Sequence, residues 1–78
     1  MCMSPEDRIV TLLSRWLARH IDNVRLREEV VAAGREGLSE DQAAAVDELL
    51  VELAAATPEA RGGIEVAVRE TLEALALG

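Results

Sequence analysis

Four helix-start signals divide this chain into segments too short for anything but helices of a few turns each. The first is Ser4-Pro5-Glu6-Asp7: a hydroxyl cap, a proline at the first helical position, then acids in the first turn. The residues that follow, Ile9, Leu12, Leu13, Trp16, Leu17, His20 and Ile21, recur at helical spacing and occupy one face. Arg27 would enter the middle of that face if the helix ran on, so Asp22-Asn23 is read as a recapping point. A second helix over about residues 24–35 turns Leu26, Val30 and Ala33 inward. Gly34 and Gly37 mark its end, where a left-handed cap favours glycine.

In Leu38-Ser39-Glu40-Asp41-Gln42, Ser39 and Gln42 have capping-box spacing and Leu38 sits where a hydrophobic staple begins. The third helix, about 40–56, points Ala43, Val46, Leu49, Leu50 and Leu53 inward and Glu40, Asp41, Asp47, Glu48 and Glu52 outward. Thr57-Pro58-Glu59 is the fourth start signal. The helix it opens either runs from Pro58 to Leu77 with Gly62-Gly63 as a weak spot, or begins near Gly63 after a separate turn at 58–62. Each glycine inside a helix costs about 1 kcal/mol against alanine. Beyond it, Ile64, Ala67, Val68, Thr71, Leu72 and Leu75 form the inner face. There is no hairpin signal, and short connections favour antiparallel neighbours. The expected fold is all-α: one domain over 1–78, a compact antiparallel bundle of four helices, five or six if the first or last is broken.

Composition narrows the function. The chain has 78 residues, too few for a dinucleotide-binding unit plus substrate domain, or for a barrel. Half of it is hydrophobic, almost all aliphatic, with Trp16 the one aromatic. All eight basic residues are Arg, which excludes Schiff-base lysine chemistry and a phosphate-loop lysine. The net charge of −7 disfavours nucleic acid and anionic membranes as partners. It is also unevenly placed. Residues 1–37 hold six Arg and six acids, a sum of zero, whereas residues 38–78 hold two Arg and nine acids, a sum of −7.

Cys2 has no second cysteine to pair with, no secretory signal is visible, and no apolar run approaches the ~18 residues of a membrane span. A reducing cytoplasm is the expected compartment, and all-Arg usage with abundant Ala, Gly and Val suits a high-GC bacterium. Metal and cofactor sites are not expected. No Glu precedes His20 by three residues, and one Cys with one His is too few for structural zinc. Met1-Cys2-Met3 offers soft donors for Cu(I), yet reads more simply as the start of the chain. Glu28-Glu29 and Asp47-Glu48, adjacent on their helices, diverge by about 100° and read as solvated surface, not as acid/base pairs. A carrier-protein reading fails because Ser39 follows Leu38 and precedes Glu40. The expectation is a protein that is not an enzyme.

Surfaces carry more. Arg8, Arg15 and Arg19 are expected on one side of the first helix, as a solvated flank or as a docking strip for an acidic protein surface. The third helix of the same chain presents such a surface through Asp47, Glu48 and Glu52, so a homodimer or a head-to-tail oligomer is expected, weakened by salt. Trp16 is either the anchor of that contact or core. His20, one turn further on, is either a hydrogen-bonded core histidine or a contact residue whose protonation tunes association. The plan of a short, capped, acidic helical module resembles the death-fold and effector-associated adaptor domains of bacterial defence proteins. The similar stretches are Gly37-Leu38-Ser39-Glu40-Asp41 and Val68-Arg69-Glu70-Thr71-Leu72. Those domains usually have more helices than the four or five placed here; the resemblance implies self-association through charged faces. The remaining alternative is an acidic regulatory subunit, or antitoxin-like inhibitor, that occupies a basic site on a target.

Overall fold

A computed structural model describes residues 4–57 and 59–77. Its elements are α1 (Pro5–Leu17), α2 (Asn23–Ala33), α3 (Glu40–Ala55) and α4 (Gly62–Leu77), and the described residues hold no strand. Three of the four starts are secured by the local chemistry the sequence announces. The Asp7 amide donates to Ser4 Oγ at 3.2 Å and the Arg25 amide to Asp22 Oδ1 at 2.8 Å. At α3 the capping box is complete, with Gln42 N donating to Ser39 Oγ and Ser39 N donating to Gln42 Oε1. The fourth follows the later of the two expected starts, at Gly62; Pro58 lies outside the described residues, as do Met1, Cys2 and Met3.

Two helix ends depart from expectation. The second helix stops at Ala33, two residues short, because Gly34 adopts φ +78° with an extended ψ. The first stops at Leu17, so His20 and Ile21 are not part of its apolar face. Arg19 takes a left-handed conformation, φ +65°; its amide donates to the Trp16 carbonyl and the His20 amide to the Arg15 carbonyl. These bonds form a Schellman cap with arginine where glycine usually sits. Nothing in the residue type announces it, since the left-handed region penalises any side chain.

Each helix contributes a stripe to one interior. Ile9, Leu13 and Trp16 of α1, Leu26 and Val30 of α2, Val46 and Leu49 of α3, and Ile64, Val68 and Leu75 of α4 are buried together. Leu17, Ile21, Ala33, Ala43, Leu50 and Leu72, expected inside, are half-buried. The helices are ordered cyclically: α1 touches α2 and α4, and α3 touches α2 and α4. Among the described residues the backbones of the diagonal pairs α1–α3 and α2–α4 do not approach each other closely. The side formed by α1 and α2 is therefore opposite the side formed by α3 and α4.

Candidate functional site

One end of the bundle is tied by a polar knot that the sequence pattern does not reveal. Trp16 is fully buried, and its indole Nε1–H donates to Asn23 Oδ1 at 2.7 Å. Asn23, 3% exposed, uses its amide nitrogen on the Thr57 and Ala60 carbonyls at 3.1 and 2.6 Å. Arg61 lays its guanidinium over the Trp16 ring, 3.9 Å from the centroid, and donates to the Trp16 carbonyl at 2.7 Å. One asparagine and one arginine thus fasten the end of α1 and the start of α2 to the segment leading into α4. A second bridge runs from Gln42 Nε2 to the Leu75 carbonyl at 3.3 Å, between α3 and α4. These contacts assign Trp16 to the core, not to an interface.

On the α1–α2 side, a groove opens between the two helices. Its larger part, about 450 Å³, is lined by Leu12, Arg15, His20, Ile21, Asp22, Arg25 and Glu29. It continues toward the start of α1 past Arg8 and Thr11. Arg8 and Arg15 are both exposed, two helical turns apart, and neither has an ion-pair partner among the described residues. Arg25 is occupied by Glu29 at 3.1 Å, and Asp22 by its cap. Arg19, expected to continue the row, is carried off it by its left-handed backbone. His20 is exposed and lines the groove from the turn, not from the helix face on which the sequence pattern places it.

The α3–α4 side is acidic. Glu48 and Glu70 stand at the rim of a shallow cleft floored by Ala45, Leu49, Ala67 and Thr71. Asp41, Glu48 and Glu52 are exposed along α3. Asp47, expected among the contact residues, is engaged by Arg35 across the α2–α3 corner. The only two cations of the C-terminal half do not neutralise this face. Arg61 turns in over Trp16, and Arg69 pairs with Glu65 on its own helix at 3.4 Å. Among the described residues no group of His, Cys, Asp and Glu side chains converges as metal ligands would, and no helix is long and apolar enough to cross a membrane.

Fold and faces together define a small all-helical bundle whose α1–α2 side balances its arginines with acids and whose α3–α4 side is acidic. No family model, curated protein or solved structure matches the chain.

Proposed function

We propose that this chain is a non-enzymatic helical interaction module that docks an acidic protein surface on its α1–α2 side. The observation that carries the reading is the pair Arg8 and Arg15. Both are exposed beside a groove and have no ion-pair partner among the described residues, in a chain whose net charge is −7. Cations retained against such a background, two turns apart on one helix, suit an acidic ladder on a partner. Complementary charge of this kind governs encounter rate and partner choice more than affinity. The Leu12 and Ile21 side chains in the groove supply a small apolar floor for the same contact.

A second reading has one observation in its favour. Glu48 and Glu70 face a common cleft from two helices, which suits a protein that occupies a basic site on its target with its C-terminal half. Titrating isotopically labelled protein with a glutamate-rich helical peptide and, separately, a lysine-rich one separates the two. The first reading expects the glutamate-rich peptide to shift amide resonances of residues 8–15 and 20–29, and the shifts to vanish in the Arg8→Gln/Arg15→Gln variant. Shifts confined to α3 and α4, produced by the lysine-rich peptide alone, would overturn the first reading and support the second.

A further inference from the structure

We infer that the acidic surface received by Arg8 and Arg15 is the α3 face of a second copy, so that the chain stacks head to tail. This deepens the interaction-module reading and rests on it. Arg8 and Arg15 are seven residues apart on α1, a rise of about 10.5 Å. Asp41 and Glu48 are seven residues apart on α3, and all four side chains are exposed. The residues between them are small, Thr11 on one helix and Ala45 on the other, so the two rows can approach without a bulky side chain holding them apart. Two ion pairs can then form in a single register. A third pair, Arg19 with Glu52, has matching sequence spacing but is lost because Arg19 leaves the helix.

Competition within the chain leaves these four charges available. Asp47 is held by Arg35, Glu29 by Arg25 and Glu65 by Arg69, whereas Arg8, Arg15, Asp41 and Glu48 have no ion-pair partner among the described residues. Topology decides the form of the assembly. The α1–α2 and α3–α4 sides are opposite each other, so a docked pair still presents one unused arginine row and one unused acidic row. A contact between unlike patches extends into an open stack or closes as a ring; it does not make the two-fold dimer of self-complementary patches.

The test uses two variants that each lack one side. Arg8→Glu/Arg15→Glu removes the basic row, and Asp41→Arg/Glu48→Arg the acidic row. Arg8→Gln/Arg15→Gln and Asp41→Asn/Glu48→Gln serve as milder versions if a reversal fails to fold by circular dichroism. Light scattering on the wild type should show mass rising with concentration, with association weakened about tenfold between about 0.05 M and about 0.5 M salt, because exposed charges are screened. Each variant alone should be monomeric. A mixture of the two neutralised variants should form a dimer that grows no further, since it uses the one intact arginine row and the one intact acidic row. A mixture of the two reversals should instead restore the stack, because the reversed rows are complementary to each other. A wild type that stays monomeric at low salt, association that strengthens with salt, or a mixture that remains monomeric would each overturn the stacking proposal. If the glutamate-rich peptide still shifts residues 8–15 in that event, only the identity of the partner is wrong. If it does not, the docking reading fails as well.

Discussion

Replacing Asn23 by alanine is the sharpest test of what holds the bundle together. The substitution leaves the indole N–H of a fully buried tryptophan without its acceptor, and a buried orphan donor costs about 1–3 kcal/mol. Two further bonds, to the Thr57 and Ala60 carbonyls, disappear. Both carbonyls belong to exposed residues that water reaches, so this loss lies near the lower end of about 0.5–1.5 kcal/mol per bond. The sum is about 2–4 kcal/mol, a large share of the ~4–12 kcal/mol that a domain this size commands. Urea unfolding followed by circular dichroism reads helix loss. Trp16 emission reads the knot itself, because there is no other tryptophan. With a slope of roughly 1 kcal/mol per molar urea for a small chain, the midpoint should fall by about 2–4 M. A loss below about 1 kcal/mol would refute the knot as a stabilising element.

Asn23→Asp sharpens the same test through pH. It keeps an acceptor for the indole but sets a carboxylate against two carbonyl oxygens, which raises the folded-state pKa of the new acid above its unfolded value of about 3.9. The folded state then binds the proton more tightly than the unfolded chain. The variant should be most stable below the unfolded pKa and should lose stability as pH rises through the folded one. A flat pH dependence relative to the wild type would mean that the carbonyls do not face this side chain.

Three further outcomes follow from backbone geometry. Arg19→Gly should stabilise the protein by about 1 kcal/mol in urea unfolding, because arginine pays for a left-handed conformation that glycine adopts readily. Gly34→Ala and Gly63→Ala should differ in sign. The first forces a side chain into φ +78° and costs about 1–2 kcal/mol, while the second places alanine in open space within α4 and gains about 0.5–1 kcal/mol in thermal or urea unfolding. Ser39→Ala removes one half of the α3 capping box and should cost about 1 kcal/mol, seen as a lower melting temperature with unchanged native helicity.

The elements that were legible in the sequence are those whose cause is local. Ser4, Asp22 and Ser39 cap their helices through amides three residues away, so residue type and spacing alone place the starts. The aliphatic stripes follow from periodicity, and the interior they predict is nearly the one observed. The end of α1 was not legible, because a left-handed cap on arginine has no compositional signature. That one residue governs much else. By ending the helix at Leu17 it moves His20 off the apolar face and removes Arg19 from the basic row. It also lets the chain turn so that Asn23 reaches Trp16. Asn23 and Arg61 were missed for a related reason. One reads as an ordinary helix start and the other as a surface cation, and only the meeting of α1, α2 and the approach to α4 makes them partners of Trp16.

The same knot bears on the charged sides. An uneven distribution of charge along a sequence is usually erased when the chain folds back on itself, because opposite halves become neighbours and pair. Here one arginine of the N-terminal half, Arg35, crosses to an acid of α3. The two arginines of the C-terminal half are drawn to Trp16 and to Glu65, leaving Glu48, Glu52 and Glu70 without a cation of their own. The bundle measures 31 × 25 × 18 Å, so even its shortest dimension exceeds the screening length of about 8 Å at physiological ionic strength. Across that distance the Arg8–Arg15 row and the acidic α3–α4 side neither attract nor cancel one another through solvent. Each instead presents its own field to whatever approaches within a few ångströms, and a second copy of the chain brings the complementary field with it.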